Sequence, residues 1–170
     1  MLAASAEGSG HAVLVVQTAL CVDELVPLMG QDLLRDRFRI LTFDRRGYGS
    51  SATAGGAASI DTDARDCLAV LGALDALPAH VIGVSYSAAV ALQLAGRAPA
   101  AVRSLTLVEP PPRHVAAAPD FLAANQRLLD IHRREGVTAA LDAFMSMLVG
   151  PDWRARHEAL APGSVARIER

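Results

Sequence analysis

The chain has 170 residues, 52% of them hydrophobic, and 16 basic against 18 acidic side chains for a formal net charge of −2. That is length for one ordinary domain, or a large part of a bigger one, with apolar content enough for a core. The charge balance argues against a nucleic-acid partner, which would need a clustered basic excess, and Arg133 and Arg134 are only a local pair.

Every basic residue is Arg and none is Lys, which points to the coding bias of a GC-rich bacterium. Cys21 and Cys67 sit in apolar runs without CxxC or Cys/His spacing. A disulfide framework and a metal site are therefore not expected, and reduced, cytoplasmic chemistry is.

In chain order, residues 1–10 read as a loose polar leader. Gly8 and Gly10 precede the first apolar run and lack a third glycine, so they are not a dinucleotide fingerprint, and no cofactor is expected. The run 12–21 lacks a basic flank and is too short to span a bilayer, which excludes a membrane span, and Leu20 occupies the place where a lipoprotein signal needs a small residue. Residues 13–17 instead suit a strand covered on both faces.

Residues 23–37 predict a helix, with Leu25, Leu28, Met29, Leu33 and Leu34 near one face and Pro27 in its first turn. Residues 38–43 predict a second strand running into Asp44, Arg45, Arg46, Gly47, Tyr48, Gly49, Ser50 and Ser51. Strand, helix, strand at this spacing implies a parallel pair with a right-handed crossover. After an Ala/Gly/Ser loop, Asp61 is the expected N-cap of a helix reaching about Leu77, with Ala64, Cys67, Leu68, Leu71 and Leu74 as its core stripe.

Next come a short apolar run (Val81, Ile82), the turn Gly83-Val84-Ser85-Tyr86-Ser87, and a small-residue helix to Arg97. Presenting a serine hydroxyl above a sheet end requires the chain to reverse within one residue, which strains the serine and crowds the positions two before and two after it. Gly83 and Ser87 are small, as that crowding demands. The helix beginning at Tyr86 aims free N–H groups at the place where an oxyanion would form. A fourth strand is predicted over 102–108, ending at Glu109 and three prolines, and 120–156 reads as amphipathic helix broken at Gly136 and Gly150-Pro151.

The stretches Val13 to Val16, FRILTFDRRGYGSS at 38–51, HVIGVSYSAAVALQLA at 80–95 and VRSLTLVEPP at 102–111 together resemble the α/β-hydrolase fold superfamily, from its third strand into its cap. The resemblance implies an α/β class with a partial hydrolase core over 1–112, about four parallel strands ordered 4-3-5-6 in the family's numbering, and an incomplete helical cap over 113–170. It also implies Ser85 as nucleophile, the N–H of Tyr86 as one oxyanion donor, and an N–H near Thr18 or Ala19 as the other. The chain departs from the family pattern at Gln17 and Thr18, where His-Gly is common, and at Val84 and Ser87 in the elbow.

A serine needs a base, and the base an orienting carboxylate. His11 and His80 precede strands whose far ends carry the site, which puts His80 roughly 15 Å below Ser85. His132 and His157 read as solvated surface residues, and His114 reaches Ser85 only if its loop folds back. Glu109 is the candidate acid, weighed against a purely local bonding role, and Asp44 reads as a structural loop residue. Tyr48 and Tyr86 either line a pocket or pack, and the stripe Phe121, Leu128, Phe144, Met145, Leu148 and Trp153 is either core or a wall for an apolar substrate.

Two functions follow. One is serine-nucleophile hydrolysis of an ester or related acyl bond in a small molecule, with haloperoxidase or C–C bond hydrolase as variants and an aspartate-nucleophile dehalogenase disfavoured by Ser85. The other is a catalytically inactive module acting through another chain at its open sheet edge, whether a second copy or a C-terminal portion.

Overall fold

The computed structural model describes residues 1–20, 23–53, 59–112 and 115–169. They form two compact units, Met1–Pro111 and Pro112–Arg170. Five strands make one sheet in the first unit: β1 Ala4–Glu7, β2 His11–Val15, β3 Phe38–Phe43, β4 Ala79–Val84 and β5 Val102–Val108, in the order β1-β3-β2-β4-β5. β3, β2, β4 and β5 are parallel and keep the expected order of four, and β1 adds an antiparallel edge.

That fifth strand corrects the reading of residues 1–10 as a loose leader. Ala4 to Glu7 pair with Phe43 to Ile40, a segment too short and too exposed to show a hydrophobic period. The chain then crosses the start of β3, where a Cβ on Gly8 (φ +82°) would lie 2.6 Å from the Phe38 carbonyl oxygen.

β2 is buried on both faces, as its continuous apolar run requires. Leu14 and Val16 join Leu41, Phe43 and Val81 on the face covered by α3 (Ile60–Ala73) and α4 (Tyr86–Arg97), which supply Ala64, Cys67, Leu71, Val90, Ala91 and Leu94. Val13 and Val15 point the other way, with Ile40, toward Leu25, Met29 and Leu34. The single helix expected over 23–37 is two one-turn helices, α1 Val26–Met29 and α2 Asp32–Arg35, separated at Gly30. α3 begins two residues early, capped by the Ser59 hydroxyl on the Thr62 N–H and not by Asp61, which lies in the first turn.

Cys67 faces the core from α3. Burial, reinforced by Asp63 and Asp66, pushes its thiol well above the ordinary range, so it is an inert core group. Cys21 lies outside the described residues.

The second unit holds α5 Ala118–Glu135, α6 Val137–Val149, α7 Trp153–Leu160 and α8 Ser164–Ile168. Gly136 and Gly150 separate the first three, as expected. Trp153 is fully buried; its Nε1–H donates to Asp142 at 2.9 Å, and Arg154 lies over its ring while pairing with Asp142 and Glu169. Of the expected stripe, Met145 and Trp153 are core while Leu148 is exposed. His157 is half-buried and packs edge-on to Trp153 at 6.0 Å, which corrects its reading as a solvated residue.

Leu14 has no solvent exposure and sits in the central strand. Leu14→Ala is expected to lower stability by about 2–5 kcal/mol, read from the shift of the urea unfolding midpoint.

Candidate active site

The site is built from four strand ends that stop at one level. Leu14 pairs with Leu41, Val15 with Ile82 and Val84 with Val108. Counting on from those pairs, Gln17, Asp44, Val84 and Val108 end the parallel strands side by side. The residues that leave each strand there are Thr18, Arg45, Ser85 and Glu109.

Ser85 is exposed, with φ 52° and ψ −118°, a strained backbone for a side chain bearing a Cβ. Its N–H donates to the Val108 carbonyl at 2.8 Å and its carbonyl accepts from the Ala88 N–H at 3.0 Å. The turn closes on Gly83, where an added Cβ would stand 2.7 Å from Ala88 Cα. Ser87, fully buried, bonds through Oγ to both the N–H (2.9 Å) and the carbonyl (3.0 Å) of Val84. The small-residue rule at these two positions therefore has a direct steric cause.

Tyr86 is the first residue of α4, so its N–H has no acceptor within the helix. Its side chain packs against α3 and the loop after β3: the hydroxyl donates to Asp63 at 2.9 Å and the ring lies 4.4 Å from the Arg45 guanidinium carbon. Burial, and then the bond to Asp63, raise the Tyr86 phenol to about 12. Thr18 is buried and Ala19 exposed, on the loop leaving β2.

Sequence reasoning missed the residues that tie this loop down. Arg45 is 4% exposed and donates from Nε to Asp63 at 2.8 Å and from Nη1 to the Thr18 carbonyl at 2.7 Å. Its backbone N–H donates to Gln17 Oε1 at 2.8 Å. Tyr48 lies on Arg45 as well, ring centre 5.0 Å away, and donates its hydroxyl to the Ala19 carbonyl at 3.0 Å. Beside them Arg46 makes a two-pronged pair with buried Asp66 at 2.5 and 2.7 Å. The signal available in the sequence was polar: Asp63 and Asp66 fall on the buried side of α3 beside Ala64, Cys67, Val70 and Leu71.

Gln17 keeps a buried Nε2 with no hydrogen-bond partner among the described residues. It lines a cavity of about 190 Å³ between β2, β3 and α1, large enough for a water to accept from it. A larger cavity of about 680 Å³ lies against β1, β3, α1 and α2, and Ser85 lines neither.

Glu109 stands level with Ser85 on the neighbouring strand end, exposed, at φ +48°. Asp44 is a loop residue, as expected: its carboxylate accepts from the Ser50 N–H at 2.7 Å and fills the space beside Gly49. His80 lies at the opposite end of the sheet, its Nδ1 2.7 Å from the Ser104 hydroxyl and its ring edge-on to His11 and Phe38. Burial, then Arg103 and His11, lower its pKa. His132 is exposed on α5, and His114 lies outside the described residues. Among the described residues no cluster of His, Cys, Asp or Glu could hold a metal, and no helix is long and apolar enough to cross a membrane.

A mostly parallel sheet with helices on both faces, carrying a strained serine between the end of a strand and the start of a helix, is the architecture of the α/β hydrolases. The alpha/beta hydrolase fold family matches residues 21–159, and the chain belongs to that family. RutD of Azorhizobium caulinodans, provisionally named a carbamate hydrolase, is 31% identical over 141 residues, covering 81% of this chain and 51% of its own. A pimeloyl-[acyl-carrier protein] methyl ester esterase of Methylococcus capsulatus is 46% identical over 83 residues, 49% of this chain and 31% of its own. The crystal structure of a hydrolase from Pseudomonas aeruginosa PA01 superposes with a TM-score of 0.77 at 22% identity, over 98% of this chain and 62% of that one. The chain thus spans about half the length of RutD, or less of the other curated relative.

Two outcomes follow from the geometry. Gly83→Ala forces the elbow away from α4 and is expected to cost about 1–3 kcal/mol in denaturant unfolding. In a Tyr48→Phe background, which leaves one tyrosine, absorbance titration is expected to show Tyr86 ionising near pH 12 and not near 10. Because the folded state holds this proton more tightly, the stability it contributes is intact below about pH 10 and is lost as pH rises toward 12.

Proposed function

We propose that the chain carries the nucleophile half of a serine hydrolase that cleaves an ester or related acyl bond in a small molecule. The observation that carries this reading is Ser85 itself: an exposed serine at φ 52°, at a sheet end, opening a helix. That strain has no packing return, since the hydroxyl faces solvent, and strain of this kind clusters at reactive positions.

In this reading the Ser85 hydroxyl attacks the acyl carbon. The developing oxyanion is met by the Tyr86 N–H and by an N–H of the Thr18–Ala19 loop. Its collapse breaks the acyl bond and expels the leaving group, which takes the serine proton by way of the base, and water then releases the acyl group from Ser85. The acyl-bond chemistry is supported by the names of the relatives, an ester esterase and a provisional carbamate hydrolase. Glu109, level with Ser85, is the acid in this proposal. We place the general base in the counterpart of the length by which the relatives extend beyond the match, because His11 and His80 are at the wrong end of the sheet. The helices of 113–170 correspond, in this proposal, to the family's cap segment.

A second reading rests on β5, which among the described residues has a strand on one side only and exposes Ser104, Thr106 and Val108. Such an edge suits association with a further strand, from a longer chain or a second copy, without catalysis.

Treatment with a fluorophosphonate followed by peptide mass spectrometry, on protein that includes the segment proposed to carry the base, separates the two. A single adduct on Ser85, lost in Ser85→Ala with the circular dichroism spectrum unchanged, is the outcome of the hydrolase reading. An unmodified Ser85 in folded protein supports the association reading and removes the claim of an activated serine.

A further inference from the structure

Resting on the proposed role of Ser85, we infer that Arg45 is the positioning residue of the oxyanion site, holding its two donor segments in one fixed relation. Those segments come from different parts of the chain. One is the loop after β2, which carries Thr18 and Ala19; the other is the first turn of α4, which carries Tyr86. Neither is bonded to the other in the sheet ladder, which ends below them, the last β2–β4 link being Val16 N–H to the Ile82 carbonyl at 3.0 Å.

Arg45 spans the gap with three kinds of contact. Its Nη1 takes the Thr18 carbonyl, so the peptide that follows, whose N–H belongs to Ala19, has its plane set by a buried charge. Its backbone N–H takes the Gln17 side chain one residue earlier. Its guanidinium face lies on the Tyr86 ring, and Asp63 Oδ2 accepts from both Arg45 Nε and the Tyr86 hydroxyl, closing a loop of contacts from 18 through 45 and 63 to 86. Tyr48, stacked on Arg45, adds a second grip on the Ala19 carbonyl. Arg45 is buried among protein groups. Its effect passes through the direction of two N–H groups.

A planar fork is needed for this. A lysine in the same place keeps the charge beside Asp63 but cannot hold Asp63, the Thr18 carbonyl and the Tyr86 face together. Removing the arginine alone strands Asp63, which is 2% exposed, and lowers stability for that reason. The pair Arg45→Met with Asp63→Asn removes both charges at once and keeps an acceptor for the Tyr86 hydroxyl, so it isolates the loss of the clamp.

Two measurements test the inference, on protein that includes the segment proposed to carry the base. Hydrogen exchange followed by mass spectrometry is expected to show faster exchange in Arg45→Met/Asp63→Asn at 17–20 and at 85–88 together, with β2 and β4 still protected. Faster exchange confined to 44–51 would overturn the clamp. Fluorophosphonate inactivation is expected to show a limiting rate at Ser85 lower by about 10²-fold with the reagent's binding constant little changed, and partial recovery in Arg45→Lys. Weaker reagent binding at an unchanged limiting rate would also overturn it. If the wild-type chain gives no Ser85 adduct, the hydrolase reading fails, and the exchange experiment still decides whether Arg45 couples the two segments.

Discussion

A guanidinium that is 4% exposed cannot be left without acceptors, because its charge would then face an apolar interior alone. Around Arg45 that requirement recruits an aspartate from α3, a carbonyl from the loop after β2, and two aromatic rings. The segments that meet there are distant in sequence, and each has a different reason to be nearby. α3 arrives by its apolar stripe, the β2 loop by its strand register, and Tyr86 by the turn. The buried ion pair converts their proximity into a defined geometry.

The serine turn depends on that frame from one side and on the sheet from the other. Parallel pairing with β5 runs through Val84 and Val108, and Ser85 spends its own N–H on the Val108 carbonyl. Ser85 and Glu109 thus leave adjacent strands at one level, both in a left-handed backbone that side chains rarely adopt. Two such residues side by side mark the place where regular pairing gives way to loops. The larger cavity of the first unit lies elsewhere, against β1 and β3, so concavity alone would have pointed away from the serine.

Much of this was legible in the sequence because the governing interactions are local or periodic. α4 and β5 match their expected bounds, since Gly83, Ser85 and Ser87 fix a turn whose sterics span five residues, and Val102 to Val108 is an uninterrupted β-prone run. β1 was not legible: its four residues are all exposed and gain their place only from pairing with a strand more than thirty positions later. The helix over 23–37 was overextended because its apolar spacing continues through Gly30, where the backbone ends α1. Arg45 and Asp63 were invisible for a different reason. A buried ion pair has no period, and a DRRG run reads as solvent-facing until the acceptors around it are known.

Ser87 adds one consequence of its own. Two serines stand two positions apart in this turn, and their hydroxyls are chemically distinct. That of Ser87 is fully enclosed and is engaged as both donor and acceptor on the Val84 peptide groups, so neither its proton nor its lone pairs are open to an incoming electrophile. Ser85 alone is addressable. In the proposed hydrolase reading, the buried hydroxyl that shapes the turn also confers regioselectivity on it, directing an acylating agent to one oxygen of the two.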